Sequence, residues 1–202
     1  MRTFDVKAGY RDLYDQVTTE FTQVDVPKMR YAAIDGTGAP GDSAEYIAAV
    51  EALYSAGYTE KFASKRYLSC DFVVGPMEAL WYSDDPYATR AQATSWTVMI
   101  AQPSWITSEM LADAAATALK KRKNRALELV YLATVEEVRA VQILHIGPSE
   151  TAGPTFAALH DNYLPEHQLA EAGPLHEIYL SDARRVPPEK RRTILRRPVR
   201  PL

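Results

Sequence analysis

The chain has 202 residues, a formal net charge of −3 and a hydrophobic fraction of 47%, enough apolar material for a full core in one domain or in two fused halves. No stretch reaches the roughly 18 apolar residues of a membrane span, and the opening MRTFDVKAGYRD lacks the apolar region of a secretory signal, so the expected location is the cytoplasm. The lone Cys70 excludes an internal disulfide, a zinc knuckle or a redox pair.

Taken in chain order, an irregular N-terminal segment leads into TQVDVPKMRYAAIDGTG (22–38), which reads as extended, with Pro27 marking an edge or bend and Gly36 and Gly38 ending it. Asp42 or Ser43 caps the next helix, whose Tyr46, Ile47, Val50, Leu53 and Tyr54 share one face, and Gly57 is a natural stop. After YTEKFASKRYLSC comes DFVVGPMEALWYS, strand-like despite its Gly-Pro step. SWTVMIAQPSW (95–105) reads as a strand ended by Pro103. A helix capped by Thr107 or Ser108 then runs to about Lys123, its terminal cations complementing the helix dipole. LELVYLAT and RAVQILHIGP read as two more strands, Thr155 to Leu164 as a helix, and LHEIYLSD as the strand closing the sheet.

From Ala183 onward Arg184, Arg185, Lys190, Arg191, Arg192, Arg196, Arg197 and Arg200 face only Glu189, leaving an acidic body. An acidic body argues against a broad phosphate-binding face. Pro187 and Pro188 before EKRRTILRR read as a helix start, folding the tail back over the acidic surface. No direct nucleic-acid contact is expected.

The strongest internal signal is a repetition. GPMEALWYSD (75–84) returns as GPLHEIYLSD (173–182), and each copy trails a helix-like segment, IAAVEALY or FAALHDNY. Such self-similarity marks a duplicated supersecondary unit. The expected architecture is α+β: duplicated strand-helix-strand-strand modules, at about 22–94 and 95–182, within a single domain over 1–202 that ends in a basic extension, 183–202. Their antiparallel sheets carry the helices on one face, leaving the other free, with a ligand cleft between the repeats.

Strand alternation gives that cleft candidate chemistry. In LHEIYLSD, Leu175, Glu177 and Tyr179 point one way and His176, Ile178 and Leu180 the other. If the more apolar second set packs under the helices, a carboxylate and an aromatic ring face the groove together, a pairing suited to a cationic or planar organic ligand. A glutamate at a solvated sheet edge explains Glu177 equally well. Aligning the Gly-Pro steps puts Trp81 at the position of Tyr179, a stacking wall, and Ala79 at that of Glu177. Strict alternation turns Glu78 to the opposite face, whereas a bulge at Gly75-Pro76 rotates it back. Trp96, Trp105, Tyr131 and Tyr58 are further candidate walls, each equally explained as core. His145, His160, His167 and His176 lack metal-ligand spacing, and no nucleotide-binding or nucleophile-elbow motif is present. Neither a metal nor a cofactor is expected.

The ordered segments DVPKMRYAAIDGTG, EALYSAGYTEKF, DFVVGPMEALWYS, WTVMIAQPSWIT and LHEIYLSDARRVPPEKRRTILRRPV resemble the GyrI-like small-molecule-binding proteins over nearly the whole chain, particularly their stand-alone bacterial branch. The resemblance implies a duplicated fold with a cleft between repeats, and a glutamate, here Glu177, reaching into it toward drug-like ligands. Some members of that branch are similar to cyclopropanoid cyclopropyl hydrolases, which open a strained ring in DNA-alkylating compounds; by that likeness Trp81, Trp105 and Tyr179 are cage walls and Glu177 or Glu78 activates water. Related domains also serve as effector-binding parts of transcription regulators and as a gyrase inhibitor, so a ligand-sensing or protein-interaction module is the alternative. The chain departs from the branch at Ala79, where glycine is common, and in its arginine-rich end.

Overall fold

The alternating apolar runs assemble into one antiparallel sheet. The computed structural model describes residues 2–38 and 43–202, the Arg2 side chain apart. In chain order the elements are β1 (Arg2–Phe4), α1 (Val6–Gly9), α2 (Arg11–Tyr14), β2 (Thr22–Val26), β3 (Met29–Thr37), α3 (Ala44–Leu68), β4 (Cys70–Phe72), β5 (Met77–Tyr82), β6 (Ser95–Gln102), α4 (Ser108–Arg122), β7 (Tyr131–Val135), β8 (Val138–Ile146), α5 (Gly153–Ala158), a π-helical turn (Leu159–Tyr163), α6 (Leu164–Glu166), β9 (Leu169–Glu171), β10 (Leu175–Tyr179) and β11 (Arg192–Pro201). The sheet order is β2-β8-β11-β10-β5-β6-β3-β7, with β9 added on β11, while β1 and β4 form a small parallel pair.

That order is symmetric about the β10–β5 contact, where Glu177 pairs with Ala79. On one side lie β5, β6 and β3, which with α3 make one half; on the other lie β10, β11 and β8, with the α5–α6 helical run. The outermost strands are exchanged: β2 precedes β3 in the chain but pairs with β8, and β7 precedes β8 but pairs with β3. Each half therefore completes the other's edge, which covers backbone groups that would otherwise stand open.

α3 and α4 pack on one face, over a core that includes Ile34, Trp81, Trp96, Val98 and Ile100. The opposite face, expected to be free, is covered by the N-terminal segment: Val6, Leu13 and Tyr14 pack on Tyr31, Leu80, Met99, Ile178 and Ile194. The sheet is apolar on both faces, and an uncovered second face would leave those side chains in water. A second correction concerns α3, which runs through Gly57 to Leu68 and ends at Ser69 in the left-handed region, φ 55°. The roughly 1 kcal/mol cost of an internal glycine is outweighed by burial of the helix face on which Gly57 lies with Ala52, Leu53 and Ala56. Ser43 caps this helix by accepting from the Tyr46 N–H; Asp42, the alternative cap, lies outside the described residues. A third is the basic tail: after a short turn at Pro188–Lys190 it becomes β11, in the middle of the sheet between β8 and β10. The apolar residues of TILRRPV decide this, and the strand takes two arginines into the interior with partners, Arg196 on Glu137 and Arg197 on Glu171.

Under the N-terminal segment a chain of buried polar groups ties the halves together. Tyr14 donates to Glu78 Oε1 at 2.6 Å, and His176 pairs with Glu78 through Nε2 at 2.8 Å and with Glu137 through Nδ1 at 2.9 Å. Arg196 donates to the Leu13 carbonyl at 2.7 Å and to Gln142 Oε1 at 3.0 Å. Burial works against the His176 charge, but Glu137 and Glu78 more than offset it and lift its pKa to about 9. Glu137 is also opposed by burial, yet His176 and Arg196 hold it below the usual carboxylate range. The next residue, Val138, has φ 61°, a conformation that is strained for a β-branched side chain.

Candidate functional site

Alternation along the two central strands places the site on the helix side of the sheet. Glu177 is paired with Ala79 and Leu175 with Trp81 across β10 and β5, and Trp81 is paired with Trp96 across β5 and β6. From the first turns of α3, Tyr46 meets both indoles, with ring centroids 5.8 Å from Trp81 and 5.3 Å from Trp96, the latter edge-on. Glu177 is only 1% exposed. Tyr179, half-buried, donates to its Oε2 at 2.6 Å.

Burial pushes the Glu177 carboxyl above the ordinary glutamate range, against the opposing pull of the Tyr179 hydroxyl and the Arg90 charge. The same desolvation raises the Tyr46 phenol to about 12. Burial disfavours the Arg90 cation, yet Tyr179 and Glu177 reverse the effect and raise its pKa. The Trp81 indole N–H lies beside Glu177 and favours its ionised form without making a hydrogen bond of good geometry. The Trp96 indole N–H is likewise buried without a hydrogen-bond partner. Buried donors are nearly always paired in native structures, which makes the Trp96 N–H an exception at this place.

The sequence-derived candidates divide by place. Glu177, Tyr179, Trp81 and Trp96 share the helix side of neighbouring strands. Glu78 lies on the other face, fully buried between Tyr14 and His176; no bulge turns it back, because β5 keeps unbroken register with β6 through Met77. Tyr131 is also on that face, paired across from Ala33, and its hydroxyl donates to Asp35 at 3.0 Å. Trp105 packs edge-on against Phe4 at 6.2 Å and donates to Ser64 Oγ at 3.0 Å. Ser64 and Tyr46 are 18 residues apart on α3, roughly 27 Å at 1.5 Å per residue. Tyr58, also on α3, is 50% exposed. Two residues that the sequence did not single out complete the group. Tyr46 reads as one more apolar-face helix position, and Arg90 lies in a connection with no motif, which only the fold brings over β10.

The wall formed by Trp96 depends on Gly36, its cross-strand partner. A Cβ at position 36 would lie 2.1 Å from Trp96 Cζ2, inside a ring that is 1% exposed and has no room to retreat. Gly36→Ala is expected to cost about 1–3 kcal/mol, as overpacking does, and to shift the near-ultraviolet circular dichroism and tryptophan emission. An unchanged melting curve and spectrum would show that Trp96 is not held there.

The sheet is thus antiparallel and symmetric about its central strand pair, with a buried carboxylate and clustered rings at that pair. The chain belongs to the GyrI-like small molecule binding domain family, whose model matches residues 19–200. A conserved protein from Listeria innocua is similar in structure, with TM-score 0.86 and 35% identity over 98% of this chain and 100% of its own. A hydrolase from Listeria innocua is similar too, with TM-score 0.84 and 36% identity over 98% of this chain and 100% of its own. The EcmrR C-terminal domain, at 10% identity and TM-score 0.57 over 91% of this chain and 98% of its own, shares the fold. Among curated proteins no sequence relative was found. Among the described residues no helix is long and apolar enough to cross a membrane.

Proposed function

We propose that the protein binds planar or cationic drug-like compounds in the cleft between its halves, with Glu177 as the ligand's counter-charge and Trp81, Trp96, Tyr46 and Tyr179 as the enclosing rings. The observation that carries this reading is a carboxylate 1% exposed beside clustered aromatics, at the pair where the two halves join. A buried charge of this kind is costly unless something compensates it, and a cation lying against rings is a fitting compensation. The family supplies the ligand class, a small molecule.

For strained cyclopropanoid DNA alkylators the same site serves as a hydrolase. Water attacks the cyclopropane methylene; the breaking carbon–carbon bond delivers its electron pair to the conjugated ring carbonyl, and Glu177 takes the proton from water. A carboxylate with a raised pKa is the stronger base for this step, and the rings orient the flat electrophile. The unpaired indole N–H of Trp96 is the donor available to a developing oxyanion. The similarity to a hydrolase from Listeria innocua at 36% identity supports the chemistry.

Incubation with a cyclopropanoid alkylator followed by mass spectrometry tests the reading. The expected product carries the added mass of one water, forms with turnover and is lost in Glu177→Gln. Binding without hydration would leave the receptor role and remove the catalytic one.

A further inference from the structure

We infer that the outward face of α3 is a homodimer surface, on which a second copy of the chain lays its own α3 antiparallel about a twofold axis at Tyr58. The helix is 25 residues long and buries Ala49, Leu53, Ala56, Glu60 and Ser64. At 3.6 residues per turn, Ile47, Glu51, Tyr58, Phe62 and Lys65 fall within an arc of about 60° on the opposite side. Three of them are large apolar side chains left in solvent: Ile47 is 49% exposed, Tyr58 50% and Phe62 63%. A single exposed apolar residue is ordinary. Tyr58 and Phe62, however, are one turn apart on the same face and make a continuous ridge.

The order of charges along this stripe selects the occupant. An acid, Glu51, stands at one end, the bases Lys65 and Arg66 at the other, and the rings lie between them. Glu51 and Lys65 are each seven residues from Tyr58, the spacing that keeps all three in one seam. Turning a second α3 about Tyr58 therefore sets the acid of each copy against the basic end of the other. The same turn sets Phe62 across from half-buried Tyr54, since each is four residues from Tyr58. A parallel pairing would place acid on acid and base on base. Lys65 already holds Asp71 at 2.8 Å, but Arg66 lies over the Tyr67 ring at 5.3 Å and, like Glu51, is in no ion pair among the described residues. The two unmatched charges are complementary only between copies.

The area sets the strength. With about 200 Å² for each large side chain, the three exposed ones offer roughly 300 Å² of apolar surface per copy. A standard stable interface buries about 800 Å² per partner, a little over half of it apolar. The stripe falls short of that, so the dimer is weak, with a Kd on the order of 10–100 μM. Tyr46 lies 12 residues from Tyr58 on the same helix, about 18 Å along at 1.5 Å per residue, which leaves both candidate sites outside the contact.

Analytical ultracentrifugation from about 5 to about 500 μM, a range that brackets this Kd, tests the inference on the full chain. The weight-average mass of wild type is expected to rise with concentration from 22.6 kDa toward twice that value. Phe62→Glu, a change at an exposed position, should weaken association about tenfold or more. Glu51→Arg should weaken it roughly fivefold, because the twofold axis counts the clash with Arg66 twice. Combining Glu51→Arg with Arg66→Glu reverses both ends of the stripe and should restore the Kd to within about twofold of wild type. Thermal melts establish that each variant is folded. A wild-type chain that stays monomeric throughout overturns the inference, and so does a dimer that folded Phe62→Glu leaves intact, which would lie on another surface. If Phe62→Glu breaks the dimer but the double charge exchange does not rescue Glu51→Arg, the antiparallel order is wrong and the inference falls.

Discussion

Glu177→Gln is expected to weaken binding of a planar cation by about 30-fold or more while leaving the melting temperature within a few degrees of wild type. The magnitude follows from the roughly 2–5 kcal/mol lost when one partner of a buried charge pair is removed. Glutamine keeps the shape and still accepts the Tyr179 hydroxyl that now bonds Oε2 at 2.6 Å. Stability is spared because the substitution also removes the burden of a carboxyl that is 1% exposed and disfavoured in its ionised form by burial. The pH dependence separates charge from shape. A carboxyl with a raised folded pKa stabilises the fold fully below its unfolded pKa and loses that contribution as pH rises through the folded value. Cation affinity runs the other way, falling by up to tenfold per unit as pH drops below the folded value, in a window that starts above the ordinary 4.5. Both slopes should vanish in Glu177→Gln. Isothermal titration across pH reads the affinity slope and urea melts read the stability slope; equal affinity in the two proteins at every pH would remove Glu177 from the site.

The largest stability effect is expected on the opposite face of the same strand. His176→Leu leaves Glu78 and Glu137, now 2.8 and 2.9 Å from the imidazole nitrogens, facing each other across an apolar side chain. Removing one partner from a buried ionic group costs roughly 3–5 kcal/mol, or on the order of 10 °C in Tm for a chain of this size. The native protein should show the same dependence without mutation. The folded His176 pKa is raised from 6.5 to about 9, so its contribution is complete below about pH 6.5 and is lost as pH rises through 9. That rise corresponds to roughly 3 kcal/mol at about 1.36 per unit. Urea denaturation between pH 6 and pH 9.5 should show this decline in wild type and its absence in His176→Leu. A flat wild-type profile would mean that the imidazole is neutral between its two carboxylates.

Sequence and structure agree where local physics decides. The alternation read for LHEIYLSD holds, with Glu177 and Tyr179 on one face and His176 and Ile178 on the other, because alternation is a property of each strand by itself; the antiparallel pairing sets Glu177 across from Ala79 but Leu175, not Tyr179, across from Trp81. α4, from Ser108 to Arg122, follows from an apolar stripe and a Thr107 cap. Where non-local packing decides, the reading diverged. Gly57 stops a helix in isolation but continues one when the face that carries it is buried. Arg196 and Arg197 read as part of a helical tail folded over the acidic surface, yet they lie in a central strand and pair with Glu137 and Glu171.

The chain by itself determined the α+β character and supplied the acids and rings considered for a site, since composition and period are written residue by residue. Only the tertiary structure decided which face is covered, that Glu78 belongs to a buried network while Glu177 is held by Tyr179 on the helix side, and that Trp105 and Tyr131 stand elsewhere. The physical reason is that a strand fixes two sides but not which neighbour covers each. That choice is made by burial summed over distant segments, here an N-terminal arm of Val6, Leu13 and Tyr14 laid over one side and two helices over the other.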